Sequence, residues 1–322
     1  MKRRVSRGLA LALVGAAWPQ VGLAVGGGSG LTISPVYQEV SLGQNQASAQ
    51  YTVMLTNNSA VSQTFRFEVK DFGSLDESGG VAFLNDATSD FEKAHGLTNW
   101  VSLDKHDATV PAGATVQIGM TIDNAQSLAS GGHYAALEAE AQTAPTDAAK
   151  NSRVGITQVL SSLLFLLKDG SAPPNLRLVD QTLGGRGALS LPVNVNERFL
   201  DDGAVHVVPR GTVTIQDPLG RQVMRGALNE DSGIILPGSF RRYQTPLVQL
   251  ANAWLPGRYT ATTVYRYDGT TTTQSARVSF WYAGAWWLWA VAVLLLAMLG
   301  LGVWWLVSGR PRWWPQLRLG GR

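Results

Sequence analysis

Residues 116–122 have the sequence VQIGMTI, in which every second side chain is apolar. Because successive side chains of a β-strand point to opposite faces, this alternation predicts a strand with one buried face. The same period of two recurs upstream in YTVML (51–55) and FRFEV (65–69). Repeated half-buried strands separated by turns predict an antiparallel β-sandwich.

A short repeat indicates that there are two such sandwiches. The segments GGHYAAL (131–137) and PGRYTAT (256–262) share the pattern Gly-x-Tyr-x-Ala, and each follows an alternating strand. In immunoglobulin-like folds, a tyrosine at the start of the penultimate strand can bond back to the backbone at a corner. We therefore predict structural roles for Tyr134 and Tyr259.

The predicted fold class is mainly β, with two tandem immunoglobulin-like β-sandwiches and one C-terminal transmembrane helix. The first sandwich is expected at 31–170 and the second at 176–282. Between them, 171–175 (SAPPN) is a Pro-rich linker, and adjacent prolines favour a stiff, extended connection.

One short helix is predicted within the first sandwich. Ser89 and Glu92 have the spacing of a capping box, and Phe91 and Ala94 provide an inner edge. Gly96 can adopt the left-handed conformation that often ends a helix.

Two apolar segments lie near the ends of the chain. Residues 1–24 combine basic residues, a short apolar run and small residues before Ala24, which is typical of a secretory signal peptide. An uncleaved N-terminal anchor is the alternative, and the Gly-rich segment 25–30 is expected to be flexible. Residues 283–308 are uncharged and long enough to cross a hydrocarbon core of about 30 Å, which predicts a transmembrane helix.

Tryptophan and arginine residues flank this predicted helix. Indole rings favour the membrane interface, and the basic tail 309–322 favours the cytoplasmic side. The predicted interface residues are Trp286, Trp287, Trp304, Trp305, Arg310 and Arg312. We therefore expect a single-pass protein of the cell membrane, with its N-terminal bulk outside and its C-terminus in the cytoplasm.

Charge and composition exclude several classes of protein. The net charge of +3 does not describe the middle of the chain, because eight of the 26 basic residues lie at the two termini. The rest of the chain has 18 basic and 23 acidic residues, so it is acidic overall. An acidic body does not fit nucleic acid, whose phosphates require basic partners. The absence of cysteine excludes disulfides and thiolate metal sites.

The sequence lacks the motifs of common catalytic and metal sites. No HExxH or GxSxG is present, and the SxxK match at 102–105 has no accompanying KTG. Asp71, Asp76 and Glu77 could share a calcium ion but lack EF-hand spacing, so a solvated loop is the simpler interpretation. The four histidines have no ligand spacing either: His95, His106, His133 and His206. We expect no enzyme activity, no cofactor and no metal.

The order of several segments resembles the WxL-interacting protein family of bacterial cell-surface proteins. In the first half these segments are LTISPVYQEVSLG, YTVMLTNNS, VKDFGS, NWVSL, TVPAGATVQIGMTI and GGHYAALEAEA. In the second half they are RFLDDGAVHVVPRGTVTIQDPLGRQV, IILPGSFRRY, LPGRYTA and VSFWYAGAW.

That resemblance implies two immunoglobulin-like domains on one membrane helix, the first binding peptidoglycan and the second a host or partner protein. A WxL-type partner is implied by the resemblance alone. The resemblance also implies a set of signature residues in turns and at strand ends, where backbone geometry accounts for them as well as ligand binding does. These residues are Trp100, Gly132, His133, Tyr134, His206, Pro209, Gly211, Gly257 and Tyr259.

Two functions remain open at this point. The first is a membrane-anchored adhesin or scaffold that binds peptidoglycan, another wall polymer or surface proteins, through loops such as 71–83 or 144–151 or through the helical insert. The alternative is an assembly chaperone that acts by strand addition, suggested by the unusually apolar VGITQVLSSLLFLLK (154–168). A buried last strand packed against the other domain explains the same residues. Exposure of Val154, Ile156 and Val159 on an open sheet edge favours the chaperone, whereas full pairing inside the sheet counts against it.

Overall fold

The computed structural model describes residues 30–84, 90–142, 158–170, 172–185, 187, 189–285 and 287–308. Several predictions fall outside the described residues. These are the signal peptide (1–24), the tail (309–322), nearly all of the Gly-rich segment, and Trp286, Arg310 and Arg312.

The first sandwich, domain 1, is built from two sheets. Its strands are β1 (Leu31–Ser34), β2 (Tyr37–Leu42), β3 (Ser48–Asn57), β4 (Gln63–Ser74), β5 (Val81–Phe83), β6 (Val101–Leu103), β7 (Asp107–Val110), β8 (Thr115–Asp123), β9 (Gly131–Gln142) and β10 (Val159–Lys168). One sheet has the order β1-β3-β8-β6, and the other has the order β2-β10-β9-β4-β5 with β7 also paired to β4. The pairing of β2 with β10 is parallel, and the other pairs are antiparallel.

The core of domain 1 follows the alternation in the sequence. On β3, Tyr51, Val53 and Leu55 are buried while the residues between them are exposed. On β8, Ile118 and Met120 are buried in the same way. The predicted strand period is therefore confirmed, and the apolar faces of the two sheets meet in one core.

The second sandwich, domain 2, has a three-stranded and a five-stranded sheet. Its strands are β11 (Leu176–Gly184), β12 (Asn194–Asp201), β13 (Arg210–Gln216), β14 (Gln222–Leu228), β15 (Phe240–Pro246), β16 (Val248–Gln249), β17 (Gly257–Arg266) and β18 (Gln274–Tyr282). The sheet orders are β11-β12-β15 and β16-β14-β13-β17-β18. The fold class is thus mainly β, with two tandem sandwiches of immunoglobulin-like type.

The short helix of domain 1, α1 (Asp90–His95), lies where the sequence predicts it, although Ser89 is outside the described residues. Two details of the prediction are wrong. Ala94 is exposed, and Gly96 is not left-handed, because the chain continues into a 3-10 turn (Thr98–Trp100). The Asp71 carboxylate holds that turn by accepting hydrogen bonds from the backbone N–H groups of Leu97 and Thr98 at 2.6 and 2.8 Å.

The C-terminal helix, α2 (Trp287–Ser308), contains an 18-residue stretch with a mean hydropathy of 2.5 and buries none of its side chains against the rest of the protein. Within the described part of the chain it is the one helix long and apolar enough to cross a membrane. It begins four residues after the predicted position 283. The delay has a local cause, because Gly284 has a φ of +59° and the Ala285 N–H donates to the Trp254 carbonyl at 3.1 Å.

A carboxylic acid lies in the core of domain 2. Glu197 on β12 is fully buried, and its carboxyl group accepts hydrogen bonds from the hydroxyls of Thr245 and Thr263, at 3.0 and 3.1 Å. Burial raises the pKa of Glu197 to about 7, and the two hydroxyl bonds only partly oppose that shift. Folding therefore favours the protonated acid.

This burial predicts a stability that falls as pH rises. The contribution of Glu197 is fully present below its unfolded pKa of 4.5 and is lost as pH rises through about 7. Glu197→Gln should raise the free energy of unfolding at pH 8 by about 3 kcal/mol and leave it nearly unchanged at pH 4. Denaturant titrations of the full chain in detergent, followed by tryptophan fluorescence, measure both values.

Asp201 provides the internal comparison for this experiment. Its pKa is also raised to about 7 by burial, so a residual pH dependence should survive in the Glu197→Gln protein and decrease further with Asp201→Asn. Equal destabilisation of the Gln variant at pH 4 and pH 8 would contradict the assignment.

Candidate partner-binding edge and domain interface

On one side, strand β10 pairs with a neighbouring strand along its whole length. On the other side, only part of β10 is paired. It pairs with β9 from Val159 to Lys168, whereas its pairing with β2 begins at Leu163. Among the described residues, no strand pairs with Val159 or Ser161 on the side away from β9. Within the described part of the chain, the N-terminal end of β10 is therefore an open sheet edge.

The backbone groups at this edge point outward. The Gln158 carbonyl accepts from the Ala141 N–H at 2.9 Å, so residue 158 faces β9, and the Leu163 N–H donates to the Val36 carbonyl at 2.8 Å on the opposite side. Because the direction of backbone groups alternates along a strand, the N–H and C=O groups of Val159 and Ser161 face away from β9. These four groups form a template for one further strand.

The prediction for segment 154–168 is met in part. Val159 is 50% exposed at the open edge, but residues 163–168 are paired on both sides. Val154 and Ile156 lie outside the described residues, as does the loop 144–151. The paired half is held in place by the core, where Leu164 and Leu166 are fully buried.

A pocket of about 280 Å³ lies between the two domains, where the pairing of β10 with β2 begins. Domain 1 contributes Val36, Tyr37, Leu163 and Phe165, and domain 2 contributes Ile234 and Arg241 among others. Val36 lines this pocket. Its carbonyl accepts the Leu163 N–H, and this bond marks the point where the open edge of β10 ends. Its lining is mainly apolar, and Tyr37 is 61% exposed.

The domain interface is organised by Tyr134. Its hydroxyl accepts a hydrogen bond from the His206 backbone N–H at 3.0 Å, and its ring packs on Phe72 and Phe165. Burial raises the pKa of this tyrosine well above its usual range. The Tyr134 hydroxyl therefore does not bond back to a corner of its own domain, because its partner belongs to domain 2.

Gly132 permits this close approach. A methyl group at residue 132 would overlap the Tyr134 hydroxyl, and the Gly132 N–H donates to the Ala204 carbonyl at 2.9 Å. His206 also faces Glu39, with 3.5 Å between Nε2 and the carboxylate, and this contact lowers the pKa of Glu39. The interface thus joins β2, β9 and β10 to domain 2.

A second contact across the interface is ionic. Glu77, in the loop between β4 and β5, pairs with Arg198 and Arg242 of domain 2. The Arg198 guanidinium, followed by that of Arg242, lowers the pKa of Glu77 to about 2. The loop backbone adds a bond, because the Arg242 N–H donates to the Glu77 carbonyl at 2.7 Å.

The other signature residues have local contacts. The ring nitrogens of His133 lie 3.2 and 2.9 Å from the carbonyls of Gly96 and Ala129, and desolvation lowers its pKa. Trp100 Nε1 donates to Ser127 at 3.1 Å. The Pro209 carbonyl accepts from Asn229. The structure brings Gly132, Tyr134 and His206 together at the domain interface, and the rings of Trp100 and His133 pack edge to face with 6.3 Å between their centroids.

Domain 2 has a true tyrosine corner. The Tyr259 hydroxyl donates to the Leu255 carbonyl, four residues upstream, at 2.8 Å. Gly257 has a φ of +145° and packs against Pro218, while a side chain at Gly211 would overlap the Val264 carbonyl. These three residues shape strand ends.

Sequence reasoning missed the polar residues of the interface. Glu39, Arg198 and Arg242 carry no motif, and the sequence favours a solvated loop over a calcium site for Glu77. Instead, Asp71 holds the 3-10 turn, Asp76 bonds to Ser78, and Glu77 bonds to arginines. Within the described ranges there is no group of three or more side chains that could hold a metal ion.

Comparisons with known proteins give weak similarities only. No protein-family model and no curated protein sequence matches the chain. Among solved structures, a chain of the chaperone-tip adhesin complex of CFA/I fimbriae biogenesis is 12% identical, with a TM-score of 0.42, over 79% of this chain and 99% of that one. The class 5 fimbriae chaperone CfaA is 11% identical, with a TM-score of 0.42 and coverages of 77% and 98%.

A third match is a chain of the complex between the Salmonella enterica SafA pilin and the SafB chaperone. It is 8% identical, with a TM-score of 0.37, over 77% of this chain and 96% of that chain. Similarities at these levels do not assign a function to the protein.

The different partners of the two repeat tyrosines predict different effects of the same substitution. Tyr134→Phe leaves the buried His206 N–H without its acceptor, at a cost of about 1–3 kcal/mol, and should loosen the domain interface. Tyr259→Phe removes a bond within domain 2 and should leave the interdomain geometry unchanged. Because the chain has no cysteine, spin labels at Val61→Cys and Val179→Cys report the interdomain distance directly.

We expect a broader distance distribution for the Tyr134→Phe protein than for the Tyr259→Phe protein. Identical distributions for the two variants would show that Tyr134 does not determine how the domains are held.

Proposed function

We propose that this protein is a membrane-tethered assembly chaperone that binds an extended segment of another surface protein by strand addition at β10. The single observation that carries the proposal is the open edge at Val159 and Ser161. From the sequence, exposure of this segment on an open sheet edge is the criterion that favours a chaperone over an adhesin.

The edge supplies affinity through the backbone. The outward N–H and C=O groups of Val159 and Ser161 can pair with any extended segment, irrespective of its sequence. The neighbouring strands β9 and β2 hold β10 in position, so little ordering of the protein is required on binding.

The adjoining pocket supplies selectivity. A segment added at Val159 and Ser161 would run toward Val36, where the pocket begins. Alternate side chains of an added strand face the same way, so an apolar residue at one of these positions can fill the space between Tyr37 and Ile234. The expected partner segment therefore has alternating apolar residues.

The remaining predictions from the sequence differ in how they relate to this proposal. Helix α2 supports a tether to the membrane, and an exported orientation with a cytoplasmic tail belongs to the proposal. The resemblance to WxL-interacting proteins supports a surface protein as partner. Binding of wall glycan by domain 1 stays a separate prediction, for which the open edge provides no support.

Proline substitution at the edge tests the proposal. Proline removes a backbone N–H, and at Val159 and Ser161 the lost group is the outward one, so the ladder with β9 is kept. A photo-crosslinking amino acid in place of Tyr37 should form adducts with the partner in cells producing the otherwise unaltered chain. Val159→Pro combined with Ser161→Pro should reduce the adducts several-fold.

Two controls accompany this test. Val159→Thr with Ser161→Thr keeps both N–H groups and should retain the adducts, whereas Leu160→Pro removes a group facing β9 and should destabilise domain 1. Equal adduct formation by the proline and threonine variants would refute strand addition. Retention on purified peptidoglycan that is strong and insensitive to the proline pair would favour the adhesin instead.

A further inference from the structure

The end of domain 2 nearest helix α2 exposes large apolar side chains. They lie in three described segments, here called the basal loops, and at the end of β18, and together we call them the basal face. The basal loops are 189–193, 217–221 and 247–256, the last of which includes the short strand β16. The members of the basal face and their exposed fractions are Leu189 (61%), Leu219 (79%), Val248 (66%), Leu250 (57%), Trp254 (50%) and Trp281 (66%).

These loops form one continuous surface. The Arg221 guanidinium donates to the Asn252 carbonyl at 2.9 Å, which joins the second loop to the third. The Leu247 N–H donates to the Val193 carbonyl at 2.9 Å, which joins the third loop to the first. Trp281 lies near Gly257, which packs on Pro218.

The basal face is fixed to the start of the membrane helix. Only residues 283–286 separate β18 from α2, a connection of at most about 14 Å when fully extended. The hydrogen bond from the Ala285 N–H to the Trp254 carbonyl shortens it further. If α2 spans the hydrocarbon core, the bond at Trp254 holds the basal face next to the adjacent headgroup layer, which is about 5–8 Å thick.

Charge distinguishes this end of domain 2 from the other. In the three basal loops the one acidic residue is Asp217, whose carboxylate is buried and paired with Arg221 at 3.0 Å. The turns at the opposite end, by contrast, carry exposed acidic residues, namely Asp202, Glu230, Asp231 and Asp268. An end with indole rings and no free carboxylate suits a lipid interface, whereas the acidic end does not.

We propose that the basal face of domain 2 is a lipid-binding surface inserted into the membrane interface, with Leu219, Trp254 and Trp281 as its contact residues. The inference rests on α2 spanning the bilayer and is independent of strand addition at β10. Burial of this surface in lipid removes several large apolar side chains from water and fixes the tilt of domain 2 on the membrane.

The lack of cysteine in the natural chain makes the test direct. Single-cysteine variants of the full chain, carrying an environment-sensitive fluorophore, are placed in lipid nanodiscs. The positions are Leu219→Cys in the basal face, Leu296→Cys within α2 and Val61→Cys in domain 1. Quenching by iodide reports contact with water, and quenching by lipids with a spin label near the headgroup reports contact with the interface.

We expect the label at Leu219 to be quenched several-fold less by iodide than the label at Val61, and to be quenched by the shallow spin-labelled lipid. If iodide quenches the label at Leu219 as strongly as the label at Val61 but does not quench the label at Leu296, lipid binding by the basal face is refuted and the membrane-spanning role of α2 is retained. If iodide also quenches the label at Leu296, both the lipid-binding surface and the membrane-spanning helix are refuted. Protection of Leu219 from iodide without quenching by lipid would assign the surface to a protein contact and overturn the proposal.

Discussion

The hydrogen bond from the His206 backbone to the Tyr134 hydroxyl is the contact on which the arrangement of the two sandwiches depends. Tyr134 is fully buried, so its hydroxyl needs a partner, and domain 2 provides it. Gly132 allows the approach because it has no side chain to occupy the same space. Since Tyr134 and Phe165 lie on paired strands β9 and β10, the same contact positions β10 relative to domain 2.

This interface also explains why β10 has two different halves. Near domain 2, β10 is enclosed by β9 and by the parallel β2, and Phe165 packs into the interface. Toward Val159 the cover by β2 ends, because the chain preceding Tyr37 turns away into β1, which belongs to the other sheet. The open edge is therefore a consequence of one segment dividing its pairing between two sheets.

The sequence predicts local features well and tertiary partners poorly. Alternating apolar residues predict β3 and β8, because strand burial follows directly from side-chain direction. The repeated Gly-x-Tyr-x-Ala predicts two tyrosines at strand starts, but one bonds within its domain and the other bonds across the interface. That difference depends on where domain 2 sits, which no local pattern encodes. Glu197 had a usable signal, since it shares the buried face of β12 with Val195 and Phe199.

Geometry also limits what the proposed edge can reach. Strand β17 of domain 2 has ten residues and β10 has ten, and together these two strands span roughly 70 Å between the basal face and the open edge at about 3.4 Å per residue. With the domains joined by Tyr134, Glu77 and the backbone bonds between them, this distance cannot vary as it would across a loose linker. If α2 anchors the protein in a membrane, a partner anchored in the same membrane meets the edge only with segments that extend to that height. Such a restriction raises the effective concentration for matching segments and excludes others without any additional contact.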